Sequence, residues 1–396
     1  MNAELFRWAR ETAGLDANAA AKALGIKPAK LEAIEQGEHE PSRPQLLNMA
    51  KVYRRPLITF YLPKPPERGE RGEDFRTLPP DRTQADDALL DALIRDVRSR
   101  QAVVRALAEE EDEAKPLRFI GSCTMKDSSK AVLASIKEVL RIDLAEYRRQ
   151  KNAEEAFAYL RTQAERAGIY VLLMGNLGTH HSAIAVETFR GFAIADPFAP
   201  FVVINDQDAR RAWSFTLLHE IAHLWLGTTG VSGTSFEKAI ERFCNNVASS
   251  FLLPAAELRE LNIGVDTTPA RAIELITAFA NKRFVSRKMV AYGLFKAERI
   301  DLATWRAFDA ALFKLWQKEK ATDKEKSRNS ENGPNYYIVR RHRLGRALLG
   351  FVERSMGAGA LTPVKAAKVL GVKPRSVYPL LAAKAAGRPG RDGARG

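Results

Sequence analysis

The pentapeptide HEIAH at residues 219–223 constrains this chain more than any other feature of its sequence. On an α-helix, positions i and i+4 share one face. His219 and His223 can therefore meet a single metal ion while Glu220 reaches a water beside it. The surrounding run FTLLHEIAHLWL keeps helical apolar spacing. Gly227 is placed to stop the helix, and Asp206 or Asp208 to cap its start. Two surface histidines that met this spacing by accident would not carry such an apolar setting. A buried metal site is expected, with Zn2+ as its ion.

A catalytic zinc takes three protein ligands and leaves a fourth position to water. The third ligand must come from further along the chain. Glu241 lies on a second helical stretch, FEKAIERFCNNVASSFLLP, which Pro254 ends; the separation from His223 allows a loop and an antiparallel return. Glu237, one turn earlier on much the same face, competes with it. His180 and His181 are nitrogen alternatives in a Gly-rich connection between strands, where loop or substrate-cleft roles suit them better. Cys244 reads as a small buried hydrophobe. With such a ligand set, zinc acidifies a water toward a pKa of roughly 7 and Glu220 accepts its proton as hydroxide attacks a peptide carbonyl.

Four segments in order, FRGFAIAD, FVVIND, FTLLHEIAHLWLG and IERFCNNVASSFLLP, resemble the ImmA/IrrE family of metallo-endopeptidases. The resemblance covers residues 150 to 255. It implies zinc held by His219, His223 and Glu241, with Glu220 as general base. Phe243 stands where an acidic residue is common in that family, and Val247 where Phe is common; neither is a ligand.

The rest of the chain divides around this unit. Residues 1–63 read as short helices separated by tight turns. Residues 64–83 are rich in Pro, Gly and charge, the mark of a linker, and residues 85–113 carry apolar positions at helical spacing, so that 64–128 forms a linker with a connecting helix. Residues 129–317 are the expected catalytic unit: helical stretches at 130–140 and 153–167, strand signals at 169–174, 182–187, 191–196 and 201–205, then helices. A small zincin-like sheet backed by helices beneath an all-α head is an α+β arrangement. A polar stretch at 318–335 leads to a basic helical end piece, 336–396. From Lys314 onward there are 9 Lys and 10 Arg against 6 acidic residues, which holds nearly all of the chain's net charge of +14. The excess suits a solvated tail or a surface for nucleic acid or an acidic partner. Residues 361–377 also echo 15–31, sharing Leu, Ala-Ala-Lys, Leu-Gly and Lys-Pro in register. Removal of 336–396 is expected to leave the metal site intact and to weaken one binding activity.

In the head, Ala19, Ala20 and Ala21 make a close-packing helix, Gly25 a turn, and Lys27-Pro28 the start of the next helix. This segment resembles the XRE family of phage-repressor-like helix-turn-helix domains. The resemblance implies that the second helix enters the major groove by its N-terminal residues. Lys27, Ala29, Lys30 and Ala33 then line the groove face, with Gln36 near its end. Ser42 caps the following helix, and Arg43, Arg54 and Arg55 are candidates for phosphate contact. Against this, residues 1–70 carry 11 basic and 9 acidic groups, with Glu32, Glu35, Glu38 and Glu40 near the presumed interface. A head that serves only as an interaction module is the competing reading.

With Cys123 and Cys244 alone there is no disulfide framework, and no apolar run suits a signal peptide or membrane helix; a cytoplasmic protein is expected. The expected function is a DNA-binding transcriptional regulator with a site-specific zinc endopeptidase acting on a repressor- or antitoxin-type protein. The alternative is the antitoxin of a toxin–antitoxin or phage-defence pair, which binds a toxic nuclease and represses its own operon. Partners are operator duplex DNA and a specific protein substrate or toxin. Palindromic operators call for dimers, which leaves a homodimer open, although no dimerisation stripe stands out.

Overall fold

The computed structural model describes residues 1–66, 84–110, 115–178, 182–228, 235–263, 267–328 and 335–383. Its first four helices, α1 (Glu4–Glu11), α2 (Ala17–Leu24), α3 (Pro28–Gln36) and α4 (Arg43–Val52), form the head, with a 3-10 turn at Leu57–Tyr61 closing it. Local chemistry sets each boundary. Asp16 Oδ1 accepts from Ala19 N at 2.7 Å to start α2, and Gly25, in the left-handed region at φ +69°, ends it. Lys27 is extended and Pro28 opens α3, where its missing N–H costs nothing. Phe6, Ala20, Ala21, Leu31, Ile34 and Met49 fill the core, and Phe60 stacks on Phe6 at 5.4 Å.

The long α5 (Gln84–Glu110) leads to α6 (Ser129–Leu140), α7 (Leu144–Arg148) and α8 (Ala153–Arg166). Three strands follow: β1 (Tyr170–Leu173), β2 (Gly191–Ile194) and β3 (Phe201–Ile204), in the order β1-β3-β2. β1 runs parallel to β3, with Tyr170 opposite Phe201, and β2 antiparallel, with Gly191 opposite Ile204. The strand expected at 182–187 does not form; Ala183 makes a single bridge to Asn176. Its backbone is claimed elsewhere. Ile184 N donates to Gly175 O at 2.8 Å, and the buried Asn205 Nδ2 donates to Ile184 O and Phe189 O at 3.1 and 3.0 Å.

After the sheet come α9 (Arg210–Leu226), α10 (Ser235–Leu252), α11 (Ala255–Leu258), α12 (Pro269–Arg283), α13 (Arg287–Lys296) and α14 (Leu302–Arg328). Side chains alternate across the strands. Val171, Leu173, Ala193, Val202 and Ile204 share one core with α8, α9 and α10. Leu172, Phe192, Ile194, Phe201 and Val203 belong to a second core.

That second core is completed by α5 and by the basic end piece: α15 (Tyr336–Leu344), α16 (Arg346–Gly357), α17 (Pro363–Leu370) and α18 (Val377–Ala382). Arg161 on α8 fastens the end piece down. Its guanidinium donates to His342 O and Arg343 O, at 2.5 and 3.2 Å, and also to Val171 O, while Glu165 Oε2 accepts from Arg346 N at 3.0 Å. The echo of the head holds locally: α17 ends at Gly371 with φ +60°, Lys373 is extended, and Pro374 opens the next turn. That turn is a short 3-10 segment leading to α18, where the head has the nine residues of α3. The architecture is α+β: an all-α head, a small sheet with helices, and a helical end piece. Among the described residues no helix is long and apolar enough to cross a membrane.

Candidate metal centre and DNA-binding face

The helix bearing HEIAH is buried on every side: Trp213, Leu217, Leu218, Ile221, Leu224 and Trp225 all lie in the core. Gly227 ends it at φ +62° and packs so closely that an added Cβ would stand 2.8 Å from Gly121 Cα. Neither Asp206 nor Asp208 caps its start. The N-cap is Ala209, with no side-chain bond; Asp206 is taken by Arg343 at 2.7 Å, while Asp208 meets Arg190 at 2.9 Å through Oδ2 and accepts the Ala209 N–H, one residue too early for a cap, at 2.8 Å through Oδ1. Charged partners distant in sequence outcompete a local cap.

α10 packs along α9 and brings Glu241 to the two histidines. His219 Nε2 and His223 Nε2 are 3.2 Å apart; Glu241 Oε2 is 3.3 Å from the first and Oε1 3.3 Å from the second. His219 and Glu220 are fully buried and His223 nearly so, while one fifth of the Glu241 side chain stays exposed. Among the described residues, His219, His223 and Glu241 are the group whose donor atoms, all within 4.8 Å of one another, could hold a metal ion. The donor set suits zinc: two imidazole nitrogens and one carboxylate are the His2Glu combination of hydrolytic zinc sites. Acceptor atoms crowded this closely in a buried place suit a cation between them. The side chain of Glu237 and all of His180 and His181 lie outside the described residues. Cys244 is buried in the core.

Two residues outside the motif shape the site. Thr228 Oγ1 lies 3.1 Å from His223 Nδ1, so it holds the ring by the nitrogen that faces away from Glu241. Gly191, on β2, leaves room for Glu220: a Cβ there would fall 2.7 Å from Glu220 Oε1 and 2.5 Å from Thr216 Cγ2. The strand pattern gives no hint of that contact, which depends on the antiparallel pairing of β2 with β3 placing it under α9.

On the head, Lys27, Ala29, Lys30 and Gln36 are exposed along the start and outer side of α3, and Ala33 is half-buried. Ser42 and Arg43 are exposed where α4 begins; Ser42 is the N-cap residue, and Gln45 Oε1 accepts its backbone N–H at 2.9 Å. Glu35, counted from sequence among acids near the interface, turns inward. Arg10 grips it through Nε at 2.7 Å and Nη2 at 2.9 Å, and that hydrogen bond holds the Arg10 guanidinium above its ordinary range. Arg55 stacks on Trp8 at 4.2 Å and donates to Thr12 Oγ1 at 2.8 Å, a structural role.

A short helical head with an exposed second helix, joined to a helix-borne His2Glu cluster beneath a three-stranded sheet, defines a helix-turn-helix protein with a metallopeptidase-like domain. Comparison with known families agrees. Residues 3–57 match the family described as a helix-turn-helix domain, and residues 164–294 match the IrrE N-terminal-like domain. No curated protein and no solved structure matches the chain.

Proposed function

We propose that the chain is a DNA-binding transcriptional regulator whose metallopeptidase-like domain is a zinc-dependent endopeptidase acting on one regulatory protein of the repressor or antitoxin type. The convergence of His219, His223 and Glu241, with Glu220 beside them on the same buried helix, supports this reading above all. His219 Nε2, His223 Nε2 and the Glu241 carboxylate would hold the ion. Bound there, zinc supplies a Lewis acid that acidifies water and polarises a carbonyl. Glu220 takes the water's proton on its carboxylate and returns it to the leaving amine. Thr228 keeps His223 Nε2 turned toward the cluster. Gly191 lets the Glu220 carboxylate stand where Thr216 and β2 meet it. A purely structural metal would not require a carboxylate at position 220.

In the head, Lys27, Ala29, Lys30, Ala33 and Gln36 would meet base edges, with Ser42 and Arg43 at phosphates. The deciding experiment uses Glu220→Gln, which keeps side-chain volume and all three ligands. The variant captures a protein partner, identified by mass spectrometry, and that partner is then offered to both forms. The parent should cleave it, and the variant should be about 10²–10⁴-fold slower with zinc content and DNA binding retained. A captured partner that neither form cleaves would remove the peptidase reading and leave an antitoxin that works by binding.

A further inference from the structure

Where the head, α5 and the end piece come together the structure leaves a cavity of about 600 Å³. Lys51 and Arg54, from the end of α4, stand on one side of it. Arg95 and Arg100 come from α5, and Arg340 from α15. Pro56, Ala92, Met174 and Leu177 supply an apolar wall. Five cations therefore line one cavity, and among its described lining residues Asp96 is the one carboxylate. That carboxylate is already engaged by Arg100, through Nε at 3.0 Å and Nη2 at 2.7 Å.

Asp96 pairs with Arg100 and Asp91 offsets Arg95 in part, and backbone carbonyls fix the position of Arg100 and Arg340. Arg340 Nη2 donates to Leu370 O and Gly371 O, both at 2.8 Å, and Arg100 Nη1 to Val369 O at 3.3 Å, so the carbonyl end of α17 anchors both. Gly371 is required there. At φ +60°, a Cβ on it would come within 2.2 Å of Arg100 Nη2 and 2.5 Å of Arg340 Nη2. Two guanidinium groups thus crowd one turn. Arg340 Nε is buried and donates to no acceptor among the described residues. Burial, and then the charge of Arg100, push Arg340 down to about 10. Burial likewise lowers Arg95; Asp91 offsets part of this and Arg54 adds to it. Gathering like charges in a desolvated place costs stability unless something compensates them.

We propose that this cavity is a binding site for a phosphorylated small molecule of nucleotide size, whose anion bridges the cations of the head to those of α5 and α15. Planar guanidinium forks match phosphate oxygens two at a time, and no other common metabolite group offers so many acceptors to several arginines at once. The volume falls within the range of small-molecule sites. The apolar wall gives a base or comparable ring a surface to lie on. A duplex does not fit in such a space. Because Lys51 and Arg54 belong to the head and the other cations do not, an occupant would tie the DNA-binding unit to the catalytic body, and its departure would leave the two repelling.

The test uses the zinc-loaded full chain at low ionic strength, with ATP and inorganic pyrophosphate as probes in titration calorimetry and thermal melting. Saturable binding with a rise in melting temperature is expected. Arg340→Gln should weaken it at least tenfold. Arg340 also anchors α17, so the exposed Lys51→Gln and Arg54→Gln are measured in parallel; each should weaken binding several-fold with zinc content unchanged and melting of the unliganded protein no lower than the parent's. Arg375→Gln, on the exposed turn before α18, should have no effect. Absence of saturable binding of either probe at millimolar concentration would overturn the proposal. So would binding that all the cavity variants leave intact, and so would binding of single-stranded oligonucleotides with no binding of mononucleotides.

Discussion

Deletion of residues 336–396 should abolish folding of the metallopeptidase-like unit. The sequence alone suggests the opposite, a detachable basic tail. In the structure the end piece covers the sheet face formed by Leu172, Phe192, Ile194, Phe201 and Val203. Burying a side chain of that size is worth about 1.5–3 kcal/mol. α5 would keep part of the face covered, so the loss is on the order of 5–10 kcal/mol, against a total stability of about 5–15 kcal/mol for a typical domain. Arg161 would also keep its charge while losing two of its carbonyl acceptors. A graded version is Phe351→Ala on α16. Phe351 is 6% exposed and meets the Tyr170 ring edge-on at 6.1 Å. Such truncations cost about 3–5 kcal/mol, a fall of roughly 10 °C in melting temperature for a unit of this size. The assay is thermal melting by circular dichroism together with zinc stoichiometry on the purified forms. A deletion protein that melts cooperatively near the parent temperature and holds one zinc per chain would refute the role assigned to the end piece.

Gly191→Ala should push the Glu220 carboxylate aside; the overpacking costs about 1–3 kcal/mol, and cleavage of the captured partner should fall at least tenfold while zinc stoichiometry is kept. Thr228→Val should weaken zinc about 10–100-fold in chelator competition, since it removes the partner that orients His223. Glu241→Ala should lose zinc outright in metal analysis, and full retention would move the third ligand elsewhere. Lys27→Ala with Lys30→Ala should weaken promoter binding by the isolated residues 1–63 and relax its sequence preference; unchanged gel shifts would make the head an interaction module.

The local features were legible in the sequence because local chemistry decides them. Asp16 capping α2, Gly25 and Gly227 ending helices at positive φ, and Pro28 opening α3 all act within a few residues. Three of the four strand signals become strands for the same reason. What escaped depends on partners far along the chain. Asp206 looks like a cap until Arg343 claims it, and Glu35 looks exposed until Arg10 is placed against it. Residues 182–187 alternate like a strand, but the side chain of Asn205 takes the Ile184 carbonyl and Gly175 O takes the Ile184 N–H. In the candidate metal site the pairing of His219 with His223 on one helix face is read from spacing, whereas Gly191 and Thr228 matter only through three-dimensional contact.

The deep burial of α9 bears on how the protein moves. Twelve of its seventeen residues are shielded from solvent, and its amides are covered by the sheet on one side and α10 on another. Amides so placed exchange hydrogen only when the whole unit opens, and they report its global free energy. His219 and His223 therefore ride on the last element to come apart. An ion held by these side chains would need no local fraying of the helix to enter or leave. In hydrogen-exchange measurements the backbone around HEIAH should be the slowest region of the chain, with the head exchanging sooner.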